Sequence, residues 1–396
     1  MKFELFWKNP GYKIRPELRK DIECDYLIVG GGIAGLSTAY FLAKSGAKNI
    51  VLIEKNYIAS GASGKAAGTL VLRGEVDVID VIQTHGKKKN KIYWEEIHAA
   101  LKQLGKIIKE EKIDCDAEPQ DTLYCGFKYK TIGNIKEEYE LEREIESGSK
   151  FLEGEELKKE VNTNLFSQGI LSERHGLSVN PLKLCQNFSK VIEKYGVRIY
   201  ENTAFLRATD HVAYTHHGDI RFKKMIMAID ADYPAKEIKN LKSTIVITRP
   251  LTNKELIQTG FIKKKILKFK RKKIIFDSKK NYDYFKVTKD NRLLVGYGNL
   301  GVHKKHKATD PHFPHLKQIK IFIKKLFPYL NLKIEYAWSG TFGGTTYYNP
   351  FPLVKFEGDT VVIAGAASQV VCFMIAKYIA NKLVGKTSPL GDFFQG

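Results

Sequence analysis

The sequence predicts an α/β chain in which a discontinuous parallel-sheet domain carries an inserted α+β domain built on an antiparallel sheet. Three observations predict it. First, residues 25–35 pass from an apolar strand pattern into a glycine-rich turn and a helix, and Ile50-Val51-Leu52-Ile53 supplies a second apolar strand. Second, strand-then-helix texture with small residues returns near the C-terminus, at Thr360-Val361-Val362-Ile363-Ala364-Gly365. Third, residues 240–335 are dense in short strand-like runs.

The elements follow in order. Residues 1–24 form a lead-in that wraps the surface. Asp25 to Val29 is a strand, and Gly30, Gly32 and Gly35 spell G-x-G-x-x-G at its end. Leu36, Ala39, Tyr40, Leu42 and Ala43 give the next helix an apolar stripe, which stops at Gly46. Glu54 closes the second strand at about the 20-residue spacing of a dinucleotide-binding βαβ unit. Each part has a physical task. Gly30 permits the tight turn, Gly32 lets backbone approach a pyrophosphate, and Gly35 lets helix and strand pack closely. The helix N-terminus offers N–H groups and a positive dipole end to phosphate. Glu54 accepts from both ribose hydroxyls and so favours an adenosine without a 2′-phosphate.

Further along, Ile92, Ile97, Leu101, Leu104, Ile107 and Ile108 predict a helix over 90–112, and the charge-rich run 135–160 reads as helical. Asn180-Pro181 opens another helix that Gly196 stops; strands follow at 197–200 and 224–229. Within 240–335, strands are expected at 244–248, 273–276, 282–287 and 292–295. The last strand, Thr360 to Ala364, turns at Gly365 into an apolar helix reaching about Leu383. The expected division is 1–88, 160–235 and 336–396 for the cofactor domain, with 89–159 and 236–335 for the substrate domain.

A second literal G-x-G-x-x-G stands at Gly296, Gly298 and Gly301. The Val302-His303-Lys304-Lys305-His306-Lys307 run after it has no helical apolar face, so the match reads as a strand end and loop. The chain therefore carries one complete nucleotide fingerprint.

At 396 residues, 43% of them hydrophobic, the chain is long enough for two cored domains. Its net charge of +21 allows a polyanionic partner such as RNA or an acidic membrane surface, but a lysine-rich surface accounts for it more simply, and nucleic acid is not favoured. Cys24, Cys115, Cys125, Cys185 and Cys372 are scattered without metal-like or C-x-x-C spacing, which suits reduced thiols. The first 25 residues hold charges throughout and no signal-peptide core, and the uncharged run 360–376 is too short to span a bilayer. A cytoplasmic location is expected, with no bound metal. The H-x-x-H pairs His303/His306 and His312/His315 sit in a basic stretch without other ligands.

With these motifs in place, the chain resembles the FAD-dependent amine and amino-acid oxidases of the D-amino-acid oxidase superfamily, the glycine/sarcosine oxidase and γ-glutamylputrescine oxidase type. The glycine-rich opening, the Ala59-Ser60-Gly61-Ala62-Ser63-Gly64-Lys65 segment and the Asn180-Pro181-Leu182 helix carry the resemblance, as do Glu201-Asn202-Thr203-Ala204-Phe205 and Asn291-Arg292-Leu293-Leu294-Val295-Gly296. It implies a Rossmann-like FAD-binding domain and an amine substrate bound against the 240–335 sheet. It implies FAD contacts from Gly30, Gly32, Ile33, Ala34 and Gly35, from Glu54 and Lys55, and from Ser60, Ala62, Ser63, Gly64, Lys65, Ala66 and Ala67. Phe205, Ala228 and the turn Gly365, Ala366, Ala367, Ser368, Gln369 and Val370 complete that set. The helix beginning near Ala367 is expected to aim its N-terminus at the flavin ring.

Lys65, Tyr284 and Trp338 are the candidate catalytic residues. Lys65 is read as electrostatic help at the reactive edge or as a solvated loop lysine. Tyr284, Tyr297 and Trp338 are read as pocket walls or as core. Arg73 and Arg249 suit a substrate carboxylate or a structural ion pair. Two other functions fit the same motifs: a flavoenzyme acting on an amine carried by tRNA, and a flavin-binding module without turnover. The second is suggested by the turn at Gly365, which lacks the histidine and second glycine of the family's Gly-His-x-Gly.

Overall fold

A computed structural model describes residues 1–73, 77–127, 135–144, 148–262, 272–278, 283–301, 315–345 and 351–394. The His303, His306 and His312 positions, the lysine-rich run 263–271 and the segment 346–350 lie outside the described residues.

The strands fall into two sheets. The first runs in the order Leu353–Glu357, Thr360–Ala364, Asp219–Met227, Ile22–Val29, Ile50–Ile53, Arg198–Tyr200. From Thr360–Ala364 onward its neighbours are parallel. Such strands are covered on both faces, hence their continuous apolar runs. Ile28 packs with the helices Ile33–Lys44, Pro181–Lys194 and Gln369–Leu383, whereas Leu27 and Val29 pack on the opposite face with Ala213 and Leu18. The Asn180 side chain accepts from Lys183 N–H, Pro181 occupies the first helical turn, and Gly196 takes φ +86° beyond the helix end.

The second sheet runs Ile334–Thr345, Ile238–Pro250, Arg292–Gly301, Tyr284–Val287, Lys273–Asp277, Glu118–Phe127, Phe166–Ser178, Thr69–Val71, with Ser149–Glu153 beside Phe166–Ser178. Its pairs are antiparallel except Lys273–Asp277 with Glu118–Phe127. One face, with Val246, Phe285, Leu293 and Val295, packs on the amphipathic helix Leu316–Leu326. The other face, with Ile245, Leu294 and Trp338, turns toward the helices of the first sheet.

Three sequence expectations change. The helix expected over 90–112 extends over Val78–Glu110, bent where Gly86 takes φ 80°. The run 135–160 is two helices, Ile135–Arg143 and Gly154–Glu160, separated by the strand Ser149–Glu153, because Phe151 and Leu152 pair with Ile170 and Gly169. The strand at Arg292 does not end before the second glycine run but continues to Gly301, held by pairing of Ile245 with Gly296 and Leu241 with Gly301.

The lead-in is anchored by the fully buried Glu201, which accepts from Tyr12 OH at 2.5 Å, Arg15 N–H at 2.6 Å and Ile58 N–H at 2.5 Å. The five cysteines are buried and form no disulfide. Among the described residues no helix is long and apolar enough to cross a membrane.

Candidate active site

The C-terminal ends of the parallel strands meet the inner face of the second sheet around one cavity of about 940 Å³. Ligands of open parallel sheets bind at such strand ends, and the volume lies at the upper end of small-molecule sites.

The first wall is the glycine turn. Gly30 takes φ +115°, and a Cβ there would overlap the Ala228 carbonyl. A Cβ on Gly35 would overlap the carbonyl oxygen of Gly30, so helix and strand touch through backbone. Gly32 lines the cavity, and a Cβ there would lie 3.0 Å from Ser63 Oγ. The helix it caps has no acidic residue in its first turn, which leaves its positive end uncompensated. Glu54 faces the same space, held by Gly31 N–H at 2.8 Å, Asn56 N–H at 3.0 Å and Ser60 Oγ–H at 3.2 Å. A fixed carboxylate beside a helix N-terminus that has no acidic residue in its first turn suits a ribose next to a pyrophosphate.

The second wall is residues 59–69. Their carbonyls are gripped by side chains from distant parts of the chain. Gln369 Nε2 donates to Ser63 O at 3.0 Å, and Trp338 Nε1 donates to Lys65 O at 2.8 Å. Trp7 Nε1 donates to Ala66 O at 2.8 Å, and Lys286 Nζ donates to Gly68 O at 2.5 Å. Lys286 is fully buried, also donates to Ser178 Oγ at 2.8 Å, and burial pushes its ammonium down to about 7. Neither Trp7 nor Lys286 stood out in the sequence as a site residue. The one available signal is that Lys286 shares a strand face with Tyr284, two residues away.

Most of the residues implied to contact the cofactor border this cavity. Gly30, Gly32, Ile33 and Ala34 do, as do Glu54, Lys55 and Ser60. So do Ala62, Ser63, Lys65, Ala66 and Ala67, and Phe205 and Ala228. At the far turn Ala366, Ala367, Ser368 and Gln369 border it. Gly35, Gly64, Gly365 and Val370 do not; they act on the wall from behind. A Cβ on Gly64 would overlap the Ala59 carbonyl, Gly365 holds φ +73°, and Val370 is packed in the helical core. The last helix starts at Gln369, capped by Ser368.

The candidate catalytic residues separate. Lys65 and Tyr284 border the cavity. Trp338 does not: it is buried edge-on to Trp7, ring centroids 6.1 Å apart, and its N–H holds Lys65 O, which makes it a positioning residue. Tyr297 also lies outside the cavity, packed against Phe322 and His315. Arg73 and Arg249 are committed elsewhere. Arg73 binds Glu138 and Glu142, and Arg249 binds Glu255 at 2.6 Å, where the pairing holds the Glu255 carboxyl down at about 2.

Asp230 is a cavity residue that the motifs passed over. It sits in a left-handed conformation, φ +50°, and accepts from Gly343 N–H at 2.8 Å and Gly365 N–H at 3.0 Å. Burial raises its carboxyl, against the pull of those donors. It thereby ties a strand of the second sheet to the turn before the last helix. Its signal was a carboxylate just past the end of a parallel strand.

The buried Ser339 Oγ and Gln369 Oε1 also belong to the cavity and have no hydrogen-bond partner among the described residues. Buried polar atoms of this kind call for a ligand or water, so the cavity fits a guest that carries hydrogen-bonding groups.

Residues 25–381 match the family of FAD-dependent oxidoreductases typified by D-amino-acid oxidase. The chain belongs to that family. Among curated proteins it is 28% identical over 336 residues to γ-glutamylputrescine oxidoreductase of Escherichia coli, covering 82% of this chain and 75% of the relative. It is 23% identical to a probable oxidoreductase OrdL of Haemophilus influenzae, covering 90% of this chain and 84% of that one. Among solved structures, L-proline dehydrogenase from P. horikoshii superposes with a TM-score of 0.76 at 18% identity, covering 95% of this chain and 97% of that one. Glycine oxidase from Geobacillus kaustophilus gives 0.76 at 17%, covering 94% and 98%. At such identities the two structures speak for the fold. This FAD-dependent oxidoreductase thus pairs a parallel nucleotide-binding sheet with an antiparallel one, as expected from the sequence.

Cys372 borders the cavity too, with its thiol donating to Ala366 O at 3.4 Å. It is packed among Val371 and Phe373 in the apolar helix. The flavin is expected to be held without a covalent bond. Acid precipitation should leave the colour in the supernatant; colour retained in the pellet, and lost in Cys372→Ser, would contradict this.

Proposed function

We propose that this enzyme oxidises the C–N bond of a small primary or secondary amine or amino acid to an imine, which water then hydrolyses to a carbonyl product and ammonia or a smaller amine. The carrying observation is the composition of this cavity. One end is backbone N–H groups and Glu54, suited to the nucleotide half of the cofactor. The other end is Phe276, Tyr284 and Ile245, suited to a substrate's carbon skeleton. FAD, when bound, takes up the electron pair released as amine becomes imine, and oxygen or another acceptor restores it.

The residues divide the work. Gly30, Gly32, Ile33, Ala34 and Glu54 would hold the pyrophosphate and ribose, and Ser63, Lys65, Ala66 and Ala67 would bind the rest of the cofactor. Lys65 supplies a positive charge at the cavity wall, and Trp338 keeps its backbone in place. Tyr284, Phe276 and Ile245 exclude water from the substrate's apolar part and orient it. Among the described cavity residues the cations are Lys55, Lys65 and Lys242. With Arg73 and Arg249 committed to carboxylates of the protein, a substrate carboxylate meets lysine rather than a bidentate arginine fork there. The relative in E. coli is named for γ-glutamylputrescine, whose putrescine end carries an amine and no carboxylate, which accords with this.

The test is aerobic incubation of the flavin-loaded enzyme with a panel of primary and secondary amines and amino acids, with mass-spectrometric detection of the carbonyl product. At least one amine should give it. A fully flavinated enzyme that converts none of them would overturn the reading.

A further inference from the structure

One rung crosses the second sheet from strand to strand. Phe276 pairs with Tyr284, Tyr284 with Gly296, Gly296 with Ile245, and Ile245 with Trp338. Residues paired in this way share a face of the sheet. Phe276, Tyr284 and Ile245 all border the cavity, so the rung is its floor at the substrate end. Gly296 is the rung's one gap. Its backbone is not in the left-handed region, so no torsional requirement for glycine exists here. The requirement is spatial: a Cβ on Gly296 would overlap Cζ, Cε2 and Oη of Tyr284. The tyrosine ring therefore lies flat across the glycine rather than standing up from the sheet. Gly296 itself does not border the cavity, because the ring covers it.

We propose that Gly296 is a specificity-determining residue, whose missing side chain gives the Tyr284 ring its seat and so deepens the cavity to take the carbon chain of an extended, apolar-tailed substrate. The proposal rests on the amine-oxidation reading for what the substrate is, but not for the depth of the site. A methyl group at position 296 lifts the ring into the space the chain would occupy, and the penalty grows with chain length. Burial pushes the Tyr284 phenol up to about 12, so it is a neutral wall at working pH, suited to an uncharged tail. The same arrangement accounts for the second glycine-rich match: its first glycine seats an aromatic ring rather than a phosphate.

The experiment uses flavin-loaded protein and n-alkanoates from acetate to hexanoate, titrated against the visible absorbance of the bound flavin. These acids carry no oxidisable amine, so they report depth even if no amine is turned over. Affinity should rise with chain length in the unaltered protein. Gly296→Ala should cost hexanoate about 10-fold, the scale set by one crowded methylene or more, and leave acetate nearly unchanged. In a Tyr284→Ala background the same substitution should cost nothing, because the obstructing ring is gone. An equal loss for all acids, a loss that persists in the Tyr284→Ala background, or no response to any acid would overturn the proposal. Should Gly296→Ala not accumulate as holoenzyme, Tyr284→Ala alone decides: with the series extended to decanoate for both proteins, it must shift the preferred acid to a longer chain, and an unchanged preference overturns the assignment. The amine reading fails separately, by absence of carbonyl product.

Discussion

Gly32→Val is expected to fold and to purify without flavin. Gly32 is the residue before the helix Ile33–Lys44, it faces the cavity, and a Cβ there already lies 3.0 Å from Ser63 Oγ. That hydroxyl accepts from Ile33 N–H at 3.0 Å, so it cannot retreat without freeing the first N–H of the helix. Valine adds two further carbons in the direction a phosphate must approach. Losing the pyrophosphate contacts removes charge-assisted hydrogen bonds to the helix terminus. A loss of ~4 kcal/mol, near a thousandfold in affinity, is enough to strip the cofactor during purification. Far-ultraviolet circular dichroism should be unchanged, while flavin per protein falls to near zero. A variant that kept full flavin would place the cofactor elsewhere.

Arg73→Ala is expected to destabilise the protein strongly, rather than raise the KM of a carboxylate substrate. Its guanidinium lies between the nearly buried carboxylates of Glu138 and Glu142, with Asp77 at 3.6 Å, and stacks 4.6 Å above the Tyr124 ring. Glu138 also accepts from Val78 N–H at 2.7 Å, so the cluster fastens the start of the long helix Val78–Glu110. Removing the cation leaves buried carboxylates uncompensated, at a cost of about 3–5 kcal/mol. With an unfolding entropy of ~2 cal/mol/K per residue, Tm should fall by roughly 4–6 °C.

The pH dependence has a definite sign. Arg73 and Ser149 outweigh burial and hold the Glu142 carboxyl below its ordinary value, so its contribution is present above that value and fades as pH falls. Without Arg73 the carboxyl rises and protonates to relieve burial. The gap in Tm between parent and variant should therefore narrow on going from about pH 8 to about pH 5. An unchanged Tm with a raised KM would return Arg73 to the role of substrate clamp.

The parts legible in the sequence were those that belong to one local motif of strand, turn and helix. Gly30, Gly32 and Gly35 answer to one turn, Glu54 to the strand beside it, and Asn180-Pro181 to the helix they start. What was not legible depends on residues far apart in the chain. The Lys286 grip on Gly68 spans 218 residues, and the Trp338 grip on Lys65 spans 273. Trp338 was a plausible pocket aromatic by type, and only its position in the sheet turned it toward the loop backbone. Arg73 had the chemistry of a carboxylate clamp, and Glu138 and Glu142 supplied the carboxylates from within the fold. Gly296 matched a phosphate motif by spelling, while its neighbour across the strand gave it a different purpose.

The central claim is that electrons enter from an amine seated against Tyr284 and Phe276, in a chain with one complete nucleotide fingerprint. Anaerobic stopped-flow mixing tests it most directly. The flavin should bleach on mixing with an amine that the product screen identifies, and should stay oxidised over the same interval with NADH or NADPH. Rapid bleaching by NADPH, with no response to any amine or amino acid, would contradict the account.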